Sequence, residues 1–169
     1  NLISLPGPVL IDPGTNVPAT AEVRLDTANQ IADTATITLV STGALLNVNG
    51  FSGTVSNLVF TAGEIRTGTG TLGIAGGVTT LDSADAARLS GKVNLLASSV
   101  WDIADGAAVN DLNVAALVTG TGATLTKVGE GRVVFGGGTQ FPVLSLDEGD
   151  AVVNGNSSPT TVVLNGGRL

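Results

Sequence analysis

Two short acidic segments carry the side chains whose types and spacing could support chemistry. Their members are Asp102, Asp105 and Asp111 in one segment and Asp147, Glu148 and Asp150 in the other. Oxygen ligands of this kind could hold Ca²⁺, and two carboxylates could form the acid pair of a glycosidase. Neither segment follows a Gly-Gly-x-Gly-x-Asp calcium repeat. We therefore interpret both as solvated corners and predict no catalytic residue, metal site or cofactor, with calcium binding as the open alternative.

The composition excludes several other kinds of site. The 169-residue chain contains no Cys, His, Tyr or Met, so a Cys/His zinc centre, a disulfide framework and a His-based triad are impossible. Seven Lys and Arg residues stand against 14 Asp and Glu residues, a net charge of −7, and we expect no nucleic-acid partner. No run reaches the about 20 apolar residues of a membrane-spanning helix, so we expect no membrane span in this segment.

Trp101 and two threonine-rich segments offer further routes to ligand binding. Trp101, the single tryptophan, could be a platform on which a sugar ring stacks, but its place in the alternation Trp101-Asp-Ile103 favours packing in a core. The Thr-Gly-Thr segments at 67–71 and 119–121 resemble the threonine rows of ice-binding solenoids. Such rows need the motif on successive coils of one flat face. Because the motif recurs only once, we interpret it as strand and turn, with ice binding as an alternative.

Alternating apolar residues dominate the chain and define the elements that must position these side chains. Runs such as Ile37-Thr-Leu39, Leu72-Gly-Ile74 and Leu144-Ser-Leu146 have a period of two, which is typical of strands with one buried face. Each run is followed by residues that favour turns. Helical periodicity is almost absent, and segment 83–90 is the best candidate for a short helix. The pattern predicts an all-β protein.

Internal repeats indicate how these strands are arranged. Segment 37–72 aligns with segment 93–125, and this long repeat is enough for two or three coils. A shorter unit places Gly63, Gly149 and Gly167 at equivalent positions, where a tight corner favours a residue without Cβ. Such repetition is typical of a β-solenoid, with roughly 18–25 residues per coil and about eight coils. An antiparallel β-sandwich is the competing fold, and the scarcity of aromatic residues favours the solenoid.

Residues 122–155 carry the most specific pattern of the chain. Its first half is formed by Leu125, Lys127, Gly129, Gly131, Val133, Phe135 and Gly136. In this order they resemble the autotransporter-associated β-strand repeat, and segment 143–153 with Gly149 fills its closing half, although 139–142 replace the family's Tyr-Thr-Gly. The run that begins at Gly43 is similar to the same proteins. The resemblance implies a right-handed parallel β-helix in a secreted or surface-displayed bacterial passenger region, without enzyme activity, and a structural role for Lys127 over a coil edge.

The sequence thus predicts an N-terminal strand, linker or cap in residues 1–19 and a single β-solenoid in residues 20–169. Because the shorter repeat unit breaks off at Leu169, we expect a piece of a longer chain or a filament subunit. We expect a non-enzymatic structural or adhesive module, secreted by a bacterium or displayed on its surface, which could stack end to end into a fibre. Its expected partners are a second copy or a continuing coil, and a host surface or polysaccharide. A carbohydrate-active β-helix is the alternative.

Overall fold

The computed structural model describes residues 4–14, 20–156, 159 and 161–169, which form an all-β solenoid of about seven turns. Twenty strands are stacked coil on coil in three parallel sheets, and the described residues contain no helix. This part of the chain accordingly offers no helical segment with the length and hydrophobicity needed to cross a membrane. The predicted parallel β-solenoid is confirmed, with about seven turns where about eight were expected.

The chain passes from sheet 1 to sheet 2 to sheet 3, and the five inner coils contribute a strand to each of the three sheets. Sheet 1 consists of β1 (Val9–Ile11), β3 (Thr36–Leu39), β6 (Asn57–Phe60), β9 (Val78–Thr80), β12 (Ser99–Ile103), β15 (Thr124–Val128), β18 (Val143–Leu146) and β20 (Thr161–Leu164). Sheet 2 consists of β2 (Ala21–Arg24), β4 (Ala44–Asn47), β7 (Gly63–Arg66), β10 (Ala87–Ser90), β13 (Leu112–Val114), β16 (Arg132–Phe135) and β19 (Asp150–Val153). Sheet 3 consists of β5 (Gly53–Val55), β8 (Leu72–Ile74), β11 (Lys92–Leu95), β14 (Leu117–Thr119) and β17 (Thr139–Gln140).

The length of a coil varies along the rod. Leu144 pairs with Val162 across one of the shortest coils, and Val9 pairs with Ile37 across one of the longest. Most coils have a length within the range predicted from the sequence. Longer coils place their extra residues between the strands, as in the turn 104–111 that follows β12. Strand positions are therefore kept by stacking, while the corners absorb the differences in length.

Alternation along each strand sends every second side chain into the interior. In sheet 1, Ile37, Leu58, Val78 and Trp101 follow one another on successive coils, and each is fully buried. Parallel stacking repeats the same inward position on every coil, so the interior is a set of apolar columns. Burying one large apolar side chain contributes about 1.5–3 kcal/mol, and the columns therefore hold the fold together.

The structural repeat is one coil, and it differs from the long repeat seen in the sequence. Ile37 lies in sheet 1, whereas Val93, its partner in that alignment, lies in sheet 3. Strands on all three faces share an apolar-x-apolar pattern, which explains the mismatch. The shorter unit follows the fold more closely. Gly149 and Gly167 are equivalent residues of two adjacent coils, whereas Gly63 is equivalent to Ala151, two residues further along the coil.

Two segments with ambiguous sequence patterns also join the solenoid. Of the predicted N-terminal strand, linker or cap, residues 1–3 and 15–19 lie outside the described residues. The part that is described pairs β1 with β3, and Leu5 forms a bridge with Ile31. Segment 83–90, the best helix candidate, contains strand β10 instead. Both segments thus add strands to the stack.

Replacing Phe60 by Ala tests the packing of the columns. Phe60 is fully buried, so its truncation leaves a cavity, and we expect the free energy of unfolding to fall by about 3–5 kcal/mol. Val109→Ala is the control, because Val109 is 82% exposed and its truncation should change stability by less than about 0.5 kcal/mol. Urea denaturation followed by circular dichroism measures both variants, and equal effects would contradict the packing described here.

Candidate functional site

The residues that the sequence pattern marks as structural gather at one edge of the solenoid. We call the turn between sheet 1 and sheet 2 the first corner; on successive coils it comprises residues 40–43, 61–62, 81–86, 104–111, 129–131, 147–149 and 165–167. The glycines that the sequence patterns single out lie in this corner or next to it. Gly43, Gly129, Gly131, Gly149 and Gly167 lie within the corner, and Gly63 is the first residue of β7. Lys127 lies on β15, shortly before the corner.

Lys127 is a fully buried charged residue within a column of apolar side chains. Its register partners are Trp101 on the preceding coil and Leu146 on the following coil. The methylene groups of its side chain fill the column. Its ammonium group donates hydrogen bonds to the carbonyl oxygens of Val128, at 3.2 Å, and of Gly129. Lys127 therefore belongs to the interior of the stack, and its charge lies at the first corner.

Carboxylates of the preceding coil and of the following coil act on this ammonium group. Burial lowers the pKa of Lys127 below its ordinary value of 10.5, and the charges of Asp111, Asp150, Glu148 and Asp102 offset part of that effect. Glu148 also accepts a hydrogen bond from the backbone N–H of the corner glycine 129, at 2.9 Å. The two acidic segments of the sequence are thus brought together around one buried cation.

Four of the six acidic side chains, those of Asp111, Asp147, Glu148 and Asp150, accept hydrogen bonds from the protein itself. The two carboxylate oxygens of Asp111 accept hydrogen bonds from the backbone N–H groups of Gly106, at 2.9 Å, and Arg132, at 2.7 Å. Asp147 accepts hydrogen bonds from two neighbouring side chains, which lower its pKa. Across the described parts of the chain, no three or more His, Cys, Asp or Glu side chains are arranged to hold a metal ion. The geometry therefore gives no support to calcium binding at 102–111 or 147–150.

Gly129 and Gly149 allow the first corner to close over the ammonium group. Both have a left-handed backbone, with φ of +75° and +62°. A Cβ on Gly149 would lie 2.5 Å from the Gly129 carbonyl oxygen and 2.5 Å from Lys127 Nζ, and a Cβ on Gly129 would lie 2.5 Å from the Ile103 carbonyl oxygen. Gly131 packs equally closely on the backbone of the preceding coil. In the Lys-x-Gly-x-Gly pattern, the lysine thus provides a buried cation, and the glycines leave room for the backbone of adjacent coils to pack closely around it.

Trp101, the candidate for sugar binding, is buried, and so is Thr67 of the first threonine segment. Thr69 and Thr121 of the two threonine segments are exposed, but Thr119 shares its position with Asn94 and Gly73, so the segments do not form a threonine row on successive coils. The indole N–H of Trp101 donates a hydrogen bond to the Ser99 hydroxyl at 3.1 Å, and its ring packs on Phe135 with centroids 5.7 Å apart. The hydroxyl oxygen of Thr67 accepts a hydrogen bond from the backbone N–H of Lys92 at 2.7 Å. The prediction that Trp101 packs in the core is confirmed. Trp101 and Thr67 therefore present no binding surface to solvent.

A depression of about 250 Å³ on sheet 2 contains a further candidate acid pair, Glu22 and Glu64. Burial acts to raise the pKa of Glu64. Hydrogen bonds from Arg66 and Ser90, together with the charges of Arg66 and Arg88, outweigh burial, so the pKa is lowered. The general acid of a glycosidase needs a raised pKa. The geometry therefore indicates a surface charge network at this position.

The sequence reasoning missed a column of alternating charges beside the first corner, which we call the corner charge column: Asp111, Arg132, Asp150 and Arg168. Its members occupy equivalent positions on four successive coils. Asp150 and Arg168 form a bidentate ion pair with N–O distances of 2.7 and 3.1 Å. In the sequence, each member directly precedes an apolar residue and follows the previous member by about the length of one coil. Aligning single coils would have revealed them.

Comparisons with known proteins add no relative to this picture. No protein-family model matches the chain, and neither the curated proteins nor the solved structures yield a significant match. Function is therefore inferred from the first corner, the side faces and the ends of the solenoid.

Gly149→Ala should destabilise the protein more than Gly122→Ala. Both glycines have a left-handed backbone, with φ of +62° and +73°, so each substitution carries a conformational cost of about 1–2 kcal/mol. Only at Gly149 would the new methyl group meet the Lys127 ammonium group, because nothing lies within 4 Å at Gly122. We expect a lower urea midpoint for Gly149→Ala. Equal urea midpoints would contradict this expectation, because they would show that the first corner accommodates the methyl group without an additional loss of stability.

The buried Lys127 predicts a gain in stability at alkaline pH. Because its pKa is lowered in the folded state, the unfolded chain binds more protons between the folded value and 10.5, and the free energy of unfolding rises with pH in that window. The chain has no His, Cys or Tyr, so few other groups titrate above about pH 8, where a terminal amine loses its proton. Urea unfolding should show the wild type gaining stability relative to Lys127→Met. A difference that stays constant with pH would contradict desolvation of the ammonium group.

Proposed function

We propose that this chain is a non-enzymatic structural or adhesive β-helix module of a bacterial extracellular or cell-surface protein. The observation that carries the proposal is that the side chains best placed to do chemistry, Lys127 and Glu64, are held by other groups of the protein. Lys127 is hydrogen-bonded to corner carbonyls, and Glu64 is paired with arginines on the face of sheet 2. What such a rod offers to its surroundings is its length, its regular faces and its ends.

The resemblance of segment 122–155 to the autotransporter-associated repeat supports the extracellular setting. The pattern residues Lys127, Gly129, Gly131 and Gly149 act together at the first corner, which is consistent with a repeat that specifies a coil. We therefore place the chain, as part of this proposal, in a secreted or surface-displayed passenger region. Binding of a host surface or of a polysaccharide without cleavage is included in the adhesive role.

A carbohydrate-active β-helix is the weaker alternative. A sugar subsite would be favoured by an exposed aromatic platform beside a carboxylic acid with a raised pKa. Trp101 is fully buried, and the pKa of Glu64 is lowered. Both features argue for the non-enzymatic role.

Stacking of further structure on the rod is the second part of the proposal. The last strand, β20, carries exposed apolar side chains and pairs only with β18 among the described residues. The first strand, β1, is preceded by Pro6 and Pro8, which have no N–H to offer a neighbouring strand and so blunt that edge. We therefore propose stacking at the C-terminal end; a fibre would require the N-terminal edge to pair as well.

Analytical ultracentrifugation at rising concentration tests this role for the C-terminal end. We expect reversible association that is abolished by Val162→Asp combined with Leu164→Asp, because the new charges would be buried in the contact. Leu10→Asp is the control, since Leu10 is already 65% exposed on β1 and the substitution should leave association unchanged. A chain that stays monomeric at every concentration would contradict stacking. Cleavage of a polysaccharide by the wild type would contradict the non-enzymatic role.

A further inference from the structure

The outer face of sheet 2 contains a depression of about 360 Å³ that extends over three inner coils. We call it the sheet 2 depression; it is lined by Arg88, Asn113, Val114, Ala115, Val134 and Gly136. Its three strands, β10, β13 and β16, each pair with a strand on both sides. The depression is therefore formed by coils that hold one another in place.

The depression exists because the side chains on this face become shorter from coil to coil. Arg88, Asn113 and Val134 occupy one outward position on successive coils. Two residues further along the chain from Asn113 and Val134, the next outward positions hold Ala115 and Gly136, which are exposed. A methyl group and a hydrogen atom leave a hollow beside the longer side chains. None of the lining residues is aromatic, so the apolar part of the floor is aliphatic.

Arg88 places a guanidinium group at the edge of the depression. Its side chain is 57% exposed, and its Nε lies 3.7 Å from Oε1 of Glu64. The Glu64 carboxylate has closer partners, because it accepts hydrogen bonds from Nη2 of Arg66 and from the Ser90 hydroxyl, each at 2.8 Å. Arg88 itself donates no hydrogen bond to the described residues. Its N–H donors are thus available to an acceptor from another molecule.

Asn113 adds a group that can both donate and accept hydrogen bonds. Its side chain is half-buried and has no hydrogen-bond partner in the part of the chain that the structure describes. Asn113 lies one coil after Arg88, and Val134 lies one coil after Asn113. A cation, a carboxamide and an apolar surface therefore follow one another over roughly 10 Å, twice the spacing of adjacent strands. The fork of an arginine matches a carboxylate, and a carboxamide suits a hydroxyl group.

We propose that the sheet 2 depression binds a carboxylate-bearing sugar, with the carboxylate on Arg88, a hydroxyl group on Asn113 and the apolar face of the ring on Val134. The proposal rests on the adhesive role proposed above and names the class of ligand that this face takes. Because the floor has no aromatic ring on which a sugar could stack, the charged pair with Arg88 carries the recognition. A rigid ring also loses little conformational freedom on binding, which favours it at a shallow site.

An acidic peptide fits this site less well. Extended peptides are commonly recognised by adding a strand to an exposed sheet edge. The strands under the depression are paired on both sides, so they offer no free edge. A peptide would have to bind through its side chains alone and would lose the freedom of its backbone without gaining backbone hydrogen bonds.

Fluorescence anisotropy of labelled oligosaccharides, titrated with the full chain, tests the site. The probes end in glucuronate, galacturonate or sialate, and the methyl ester of each probe is its uncharged control. We expect saturable binding of at least one acidic probe and about tenfold weaker binding of its ester, because esterification removes the charge that pairs with Arg88. The proposal is wrong if none of the acidic probes binds, or if the esters bind as tightly as the acids.

Two variants separate the site from the overall charge of the chain. Arg88→Gln should weaken binding about tenfold, whereas Arg24→Gln should leave it unchanged. The two arginines are matched, because Arg24 is 59% exposed on the same sheet and its Nε lies 3.8 Å from Asp26. Gly136→Leu should also weaken binding, since its side chain fills the depression. A Cβ at Gly136 meets only the Val114 carbonyl oxygen, at 3.8 Å, so we expect the variant to fold.

The remaining outcomes separate this site from the proposed function. Equal effects of Arg88→Gln and Arg24→Gln would overturn the site, and equal binding of a labelled triglutamate peptide would show that it recognises charge and not a sugar. Absence of binding would contradict the site and leave the structural role intact. Cleavage of a bound probe would support the site and contradict the non-enzymatic role.

Discussion

The structure depends on one constraint: in a parallel stack, every inward side chain packs on the equivalent side chains of the coils before and after it. The side chain on one coil therefore affects the packing of three coils. Lys127 shows how a charged residue satisfies this constraint, because its methylene groups continue the column between Trp101 and Leu146 while its ammonium group reaches the corner carbonyls. Gly129 and Gly149 follow from the same constraint, since backbone from adjacent coils must approach that cation.

The same constraint separates the middle of the rod from its ends. An inner coil has neighbours on both sides, so its columns and backbone groups are satisfied within the protein. At the last described coil, Val162 and Leu164 continue the columns of Leu144 and Leu146, and Arg168 pairs with Asp150 of the coil before it.

The fold class could be predicted from the sequence because it depends on local signals. Runs of period two marked the strands, and glycines such as Gly149 marked the corners. The register could not be predicted, because strands on all three faces share one pattern, which is why Ile37 was matched to Val93. Corners of different length also hide the period of the coil. The surroundings of Lys127 and the corner charge column depend on which residues lie one coil apart. An alignment by single coils would have revealed the column, but the long repeat gave the wrong period for it.

Disulfide trapping tests this register most directly, because the chain contains no Cys of its own. Thr38 and Val59 are register neighbours in sheet 1, and adjacent strands lie about 4.8 Å apart, a Cα separation that a disulfide can bridge. We predict that Thr38→Cys with Val59→Cys forms a crosslink on mild oxidation. Thr38→Cys with Asn94→Cys, the pair given by the long sequence alignment, should not form one. Crosslinking of the second pair in preference to the first would contradict the coil-by-coil stacking.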